Sequence, residues 1–265
     1  MKKFLALFLC LMLLATSFVM VSCDSEDDEG TKAEETTESA TPATLNGKTP
    51  KEVYSQASAT MNANPNVTMT MTTTATMVSQ STEAKTTQSS TVKMDNQKMY
   101  VAINMDDYNM ETWYADGTMY MKMDDEKYKA AMSLDEFEDT YGSSMAEDTL
   151  LSLTDDLFEN KTFLKDETTG DYILEFSLTA AQIGELMEAM QMDSQNATIN
   201  GDVNYRVAFN KDAQMTGMKI SFDMTMDNYT MNLSMDATFQ DYGTTTVTLP
   251  ADAATYKEMS LSVPV

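Results

Sequence analysis

The chain has 265 residues, which is enough for one large domain or two small ones. Its 42 acidic residues outnumber 17 basic ones and leave a formal net charge of −25 at pH 7, and this excludes nucleic acid as a partner because phosphate binding needs a basic surface. There is no histidine, which removes the commonest metal ligand and the commonest general base. We therefore expect no metal site and no cofactor.

Residues 1–22 are predicted to be an export signal, because two lysines precede an apolar run that is shorter than the roughly 20 residues of a membrane-spanning helix. The stretch Met20-Val21-Ser22-Cys23 resembles the lipobox of bacterial lipoproteins, with Met20 in place of the usual leucine. This resemblance implies acyl chains on Cys23, which would hold an extracytoplasmic protein on the bacterial cell membrane. An ordinary secretory signal with an incidental cysteine is the alternative.

The segment after Cys23, residues 24–48, is acidic, rich in threonine and serine, and almost free of large apolar side chains. Such a segment buries too little apolar surface to offset its chain entropy, so residues 23–48 are predicted to be a lipidated cysteine followed by a disordered tether. A flexible coil of this length lifts a domain about 25–30 Å off the bilayer. Residues 49–265 are predicted to form a single α+β domain.

The first regular element is a helix. Thr49 supplies its capping hydroxyl, and Pro50 is its first helical residue. Val53, Ala57 and Met61 follow at four-residue steps, and Pro65 ends the run. Every second residue is then predicted to face the same side of a strand: Val67, Met69, Met71, Thr73, Ala75 and Met77.

Two hairpins are predicted from their turn residues, and the cross-strand pairs are found by counting outward from each turn. The second of them has large apolar groups on both faces, so we expect it to be covered on both sides. The predicted cross-strand pairs are Met94 with Met99 and Val92 with Val101 around Asn96-Gln97, and Tyr114 with Met119 and Trp113 with Tyr120 around Asp116-Gly117.

A later hairpin around Asp227-Asn228 has the most regular pattern, because each apolar residue faces another apolar residue across it. A slip of one residue would turn every side chain to the wrong face. The predicted pairs are Met226 with Tyr229, Met224 with Met231, Phe222 with Leu233, Ile220 with Met235 and Met218 with Ala237 on one face, and Asp223 with Asn232, Ser221 with Ser234 and Lys219 with Asp236 on the other.

The remaining elements are helices at residues 133–139, 144–158 and 179–192, a hairpin of residues 163–165 with 172–178, a strand at 203–209 and a short final strand at 247–249. Because hairpin loops dominate the connections, the sequence indicates an α+β fold with one strongly curved antiparallel sheet and the helices packed on one side.

Three stretches, residues 111–129, 210–226 and 244–259, together with the lipobox and the acidic segment, resemble a family of bacterial envelope lipoproteins similar to the LppX/LprG group and, more remotely, the LolA and LolB lipoprotein carriers. The resemblance implies a half-open β-barrel with helices on its concave side, where acyl chains are held. It implies no catalytic residues.

Methionine is unusually frequent on the predicted strands and adapts to apolar partners of varied shape. One interpretation is that the methionines line a site for an apolar ligand. The alternatives are that methionine is an ordinary core residue or that it binds copper, although copper sites usually include nearby histidine or cysteine. The candidate residues that would line an apolar ligand site are Met69, Met71, Met119, Met121, Phe222, Met224, Met226, Met231, Leu233 and Met235.

An enzyme is not expected, since without histidine a Ser-His-Asp triad cannot form and no G-x-S-x-G motif occurs. Adjacent acids such as Asp106-Asp107 are typical of a solvated surface. The sequence favours a non-enzymatic, lipid-anchored envelope protein that binds or shuttles a hydrophobic, acyl-chain ligand. A surface-tethered structural or protein-interaction module with a fully packed core is the alternative, and a protein partner is not identified.

Overall fold

The structure is a computed structural model that describes residues 40–63, 66–79, 82–96, 98–105, 108–134, 136, 157–158, 161–189, 197–226 and 229–259. Cys23, the export signal and most of the predicted tether lie outside the described residues. So do most of the predicted helices at 133–139 and 144–158, and the end of the one predicted at 179–192. No helix in the described ranges is long and apolar enough to cross a bilayer.

In the part of the chain that the structure describes, thirteen strands form a single curved, unclosed sheet, and two α-helices pack against it. The sheet order is β1-β8-β9-β10-β11-β12-β2-β3-β4-β5-β6-β7-β13, and every described pairing is antiparallel except that of β13 with β7. The elements are β1 (Ala40–Ala43), α1 (Pro50–Ala63), β2 (Asn66–Ser79), β3 (Thr82–Asp95), β4 (Lys98–Met105), β5 (Tyr108–Ala115), β6 (Thr118–Met123), β7 (Glu126–Ala131), β8 (Phe163–Asp166), β9 (Tyr172–Leu178), α2 (Ala180–Ala189), β10 (Ala197–Phe209), β11 (Met215–Met226), β12 (Tyr229–Gln240) and β13 (Lys257–Glu258).

The predicted hairpin registers are confirmed. All eight pairs proposed around Asp227-Asn228 occur between β11 and β12, and the four pairs of the two earlier hairpins occur between β3 and β4 and between β5 and β6. At the β5–β6 turn, Asp116 has φ 51° and Gly117 has φ 76°, as a two-residue turn with both central residues in the left-handed region requires.

Both helices begin at capping boxes. The hydroxyl of the capping residue accepts a hydrogen bond from the backbone N–H of the third helical residue, and the side chain of that third residue accepts one from the backbone N–H of the capping residue. At α1, the backbone N–H of Thr49 donates to the Glu52 carboxylate at 2.8 Å, and the Glu52 N–H donates to Thr49 Oγ1 at 3.3 Å. These hydrogen bonds from Thr49 hold the pKa of Glu52 below its ordinary value. Thr179 and Gln182 repeat the arrangement at α2, so Thr179 caps this helix.

One face of the sheet is mostly apolar, and we call it the front face. It carries every second residue of β2 from Val67 to Met77 and the residues that pair with these, strand by strand, across the sheet. Val53 and Ala57 of α1 and Ile183 of α2 are buried in the same hydrophobic cluster as this face. The two described helices therefore pack on the front side of the sheet.

The opposite, back face is polar along most of the sheet. Thr70 Oγ1 and Thr238 Oγ1 lie 2.6 Å apart there, and Lys219 forms an ion pair with Asp236 at 3.1 Å. The alternation of apolar and polar residues along each strand thus separates the core from solvent.

The C-terminal segment after β12 crosses the back face. Thr245 exchanges hydrogen bonds with the Asn66 side chain at 2.8 and 3.0 Å, and Val247 N–H donates to the Asp95 carboxylate at 3.4 Å. The strand predicted at residues 247–249 is wrong, because this segment is held by side chains of the sheet surface and does not pair with a strand edge. Pairing begins only at β13, which runs parallel to β7.

The sheet also begins earlier in the chain than expected. β1 pairs with β8, and Leu45 is only 1% exposed, within the main hydrophobic cluster. Asn46 Nδ2 donates to the carbonyl oxygen of Lys211 at 2.9 Å. Residues 40–48, which were predicted as tether, therefore belong to the sheet and its core, because Leu45 provides the apolar anchor that the rest of the segment lacks.

The turn between β8 and β9 makes a pH-dependent contribution to stability. Buried Asp166 accepts hydrogen bonds from the N–H groups of Thr168 at 2.8 Å and Thr169 at 3.1 Å, and these bonds lower the pKa of its carboxyl. Because the folded pKa lies below the ordinary 3.8, the stabilisation is complete above that pH and is lost as the pH falls through the folded pKa.

We predict that Asp166→Asn lowers the melting temperature at pH 7, since a neutral amide accepts these bonds more weakly than a carboxylate. The difference between the two proteins should shrink as the pH falls below 3.8. Melting curves of both proteins between pH 7 and pH 2.5 measure this. A difference that stays constant over this range would show that the carboxylate charge plays no part.

Candidate functional site

The predicted ligand-lining residues lie on strands β2, β6, β11 and β12, and the register places all ten on the front face. Residues that face each other across antiparallel strands point to the same side of the sheet. Met69, for example, pairs with Val92, which pairs with Val101, and the same row continues through Thr112 to Met121.

Most of these side chains are buried. Met69, Met119 and Met235 are at most 1% exposed, whereas Met121 and Phe222 are only half-buried. The side chain of Met226 lies outside what the structure describes, and its place is given by its backbone pairing with Tyr229 and with Ala197.

The front face is divided into three hydrophobic clusters that touch one another. Half-buried Met99 packs against both the main cluster and the second cluster, and Phe222 packs against both the main cluster and the third. The candidate residues are distributed as Met69, Met71 and Met235 in the main cluster, Met119 and Met121 in the second, and Met224, Met231 and Leu233 in the third. The three clusters form one continuous apolar strip, of which the main cluster is the centre.

Aromatic rings join α1 to the part of the front face on β9 and β10. The ring of Phe158 lies 5.3 Å from that of Tyr54 in α1 and 5.1 Å from that of Phe176 in β9. Phe176 in turn stacks on Tyr205 of β10 at 4.9 Å with nearly parallel planes. Burial raises the pKa of Tyr205 far above that of a free tyrosine.

Three polar residues interrupt the apolar front face at the centre of the sheet. Thr73 of β2 pairs with Gln88 of β3, and Ser90 lies two residues further along β3 on the same face. All three are at most 5% exposed, and Thr73 Oγ1, Gln88 Nε2 and Ser90 Oγ have no hydrogen-bond partner among the described residues. A buried polar group left unpaired costs about 1–3 kcal/mol of stability. We call Thr73, Gln88 and Ser90 the polar trio.

One cluster of ionisable groups lies on the back face, away from the apolar strip. Tyr100 donates to Glu111 at 2.9 Å, and Lys122 donates to the other oxygen of the same carboxylate at 3.2 Å. Burial, followed by the hydrogen bond to Glu111, raises the pKa of Tyr100 to about 12. Within the described ranges, no three acidic or cysteine side chains come close enough together to hold a metal ion.

The polar trio is the feature that reading the sequence missed. Thr73 occupies an apolar position in the alternating pattern of β2, and Gln88 and Ser90 occupy the same phase as Val92 and Met94 in β3. The sequence therefore contained a signal for the polar trio, namely polar residues at positions where the alternation predicts apolar ones.

Neither a protein-family model nor a curated protein matches the chain. Among solved structures, the ywiB protein from Bacillus subtilis is similar at 9% identity with a TM-score of 0.21, over 66% of this chain and 93% of that one. The LolA superfamily protein NE2245 from Nitrosomonas europaea is similar at 10% identity with a TM-score of 0.27, over 74% and 95% of the two chains. A DUF1329 family protein from Desulfovibrio piger is similar at 9% identity with a TM-score of 0.26, over 78% and 97%.

These scores assign neither a family nor a function to this chain. The resemblance to the LppX/LprG group and to LolA and LolB stays a prediction.

Proposed function

We propose that this is a non-enzymatic envelope protein that binds or shuttles an acyl-chain ligand on the front face, which we take to be the concave face of the curved sheet. The observation that carries the proposal is the continuous apolar strip, which spans the sheet from Met119 on β6 to Met224 on β11. An extended hydrocarbon chain matches a long apolar strip better than a compact ligand does.

The side chains of the strip suit such a ligand. Met69, Met71 and Met235 at its centre are unbranched and have three rotatable bonds each, so they can adjust to chains of different length and shape. The half-buried Phe222 and Met121 at either side have apolar surface left to cover. Each buried methylene of an acyl chain contributes about 0.8 kcal/mol to binding.

A second function is favoured by the burial itself. Val53 of α1, Met69 and Met235 are at most 1% exposed, which is typical of a core filled by the protein's own side chains. In that case the protein is a tethered structural or protein-interaction module, and the methionines are core residues.

Two measurements separate these functions. The full chain carrying Cys23→Ala can be purified without detergent, and the lipids extracted from it can be identified by mass spectrometry. A fluorescent fatty acid can be titrated into the same protein. A ligand-binding protein yields co-purified lipid and saturable binding. If neither is found, the carrier function is rejected and the packed module remains.

A matched pair of substitutions localises the binding. Met235→Trp places a larger ring on the front face and should abolish saturable binding, whereas Ser234→Trp places the same ring on the exposed back face one residue away and should not. Melting curves of both variants confirm that they are folded. Equal binding by the two variants would place the ligand elsewhere on the molecule.

We also propose that the protein is extracytoplasmic and attached to the membrane through lipid on Cys23. Cys23→Ala is then expected to shift the protein from the membrane fraction to the soluble fraction, or to leave it with an uncleaved signal. The control is Cys10→Ala, which changes a cysteine inside the predicted signal and should leave both properties as they are. Fractionation and intact-mass measurement test this, and retention of Cys23→Ala on the membrane with normal cleavage contradicts the anchor.

A further inference from the structure

The polar trio lies in the middle of the apolar strip, where a purely structural core would be expected to be apolar. One register row across the front face reads Phe176, Tyr205, Ile220, Met235, Thr73, Gln88, Met105 and Tyr108. The row therefore has apolar side chains on both sides of the Thr73–Gln88 pair.

The atoms of the trio are close enough to act on one group. Thr73 and Gln88 face each other directly, and Cβ atoms of such a pair are about 5 Å apart. Ser90 is the diagonal neighbour of Thr73, within reach of the same group. The amide nitrogen of Gln88 is a donor, and the two hydroxyls can donate or accept.

The surroundings of the trio favour an uncharged partner. The residues that pair with the trio, or lie two positions away on the same face, carry no charge: Met71, Ala75, Thr86, Val92, Ile103, Met105 and Met235. A carboxylate or phosphate buried here would find no cation among these described neighbours, and its desolvation would oppose binding. The net charge of −25 also disfavours an anion.

We propose that Thr73, Gln88 and Ser90 bind the neutral carbonyl oxygen of an ester or amide at the polar end of an acyl-chain ligand. This inference rests on the proposed function and specifies the ligand class further. The carbonyl oxygen accepts from Gln88 Nε2 and from a hydroxyl of Thr73 or Ser90, while the hydrocarbon chain lies along the apolar strip. The ligand thereby provides the partners that the described residues do not.

The test compares three competitors of equal chain length for displacement of a fluorescent acyl probe from the full chain carrying Cys23→Ala. Methyl palmitate has a neutral ester, palmitate has a carboxylate, and hexadecane has no polar group. We expect methyl palmitate to bind about tenfold more tightly than hexadecane, a difference of about 1.4 kcal/mol, and more tightly than palmitate.

Thr73→Val and Gln88→Met keep the size of each side chain and remove its polar atoms. Each is expected to weaken methyl palmitate binding by about threefold to tenfold and to leave hexadecane binding unchanged. Neither should lower the melting temperature, because no hydrogen bond among the described residues is lost. The matched control is Thr68→Val on the same strand: Thr68 Oγ1 lies 3.0 Å from Thr245 Oγ1 on the back face, so this variant should melt earlier and bind normally.

The outcomes separate the two proposals. If no competitor displaces the probe and no probe binds, the proposed function itself fails. If the parent protein and Thr73→Val each bind hexadecane as tightly as methyl palmitate, an acyl site exists but the trio does not bind a carbonyl group. Tighter binding of palmitate than of methyl palmitate would overturn the neutral ligand, and a lower melting temperature of Thr73→Val would assign its hydroxyl a structural role.

Discussion

Phe209→Ala is expected to lower the free energy of unfolding by about 3–5 kcal/mol, the usual cost of removing a buried aromatic ring. Phe209 is 0% exposed in the main cluster, and its ring meets that of Phe163 at 6.0 Å in an edge-on arrangement. It ends β10, where it is paired with Tyr172 of β9 and Met215 of β11. The ring therefore joins four consecutive strands of the sheet, from β8 to β11, at one point.

The measurement is urea unfolding with the slope of the transition compared between proteins, since a changed slope indicates a change in the surface exposed on unfolding. Phe209→Leu is the control, because leucine keeps most of the apolar volume and should cost less than about 1.5 kcal/mol. A loss below about 1 kcal/mol for Phe209→Ala would mean that the end of β10 is not part of the cooperative core.

The hairpins were predictable because their turns and their side-chain alternation gave the same answer. Asp116-Gly117 suits a turn with two positive φ angles, and the pattern of Met224 and Met231 against Asp223 and Asn232 allows a single register. Local sequence is sufficient wherever a strand pairs with its neighbour in the chain and one face of the pair is buried.

Strand β10 shows a limit of this reasoning. It was predicted over residues 203–209, but it begins at Ala197 and contains a register shift between Asn200 and Asn204. Gly201, with φ 82°, lies within the shift. An irregularity of this kind interrupts the alternation, so the polar start of the strand has no visible period.

Contacts between distant parts of the chain are a second feature that the sequence does not predict. The carboxylate of Asp95 accepts from Val247 N–H across 152 residues of sequence, and nothing near Val247 indicates that its backbone is bound this way. The polar trio is a similar case. The sequence shows that Thr73 and Gln88 are polar residues at apolar positions of the alternation, but their lack of partners among the described residues depends on tertiary packing.

Tyr256→Ala is expected to destabilise the protein by about 3 kcal/mol, because this residue fastens the C-terminal segment to the back face. Tyr256 is only 4% exposed, and its ring meets that of Tyr120 at 5.9 Å. Lys127 of β7 lies 5.8 Å from the centre of the same ring and also forms an ion pair with Asp252. Removing the ring therefore loosens the segment immediately before β13.

The consequence extends to the sheet edge, because β13 covers β7 through parallel pairing and through the Met259 N–H, which donates to the Lys129 carbonyl at 2.8 Å. An uncovered edge strand can pair with another molecule, so Tyr256→Ala should also associate at high concentration. Tyr256→Phe keeps the ring and should lose less than about 1 kcal/mol and remain unassociated. Urea unfolding and size-exclusion chromatography of the two variants measure both effects, and equal stability of the two would show that the ring does not hold the segment.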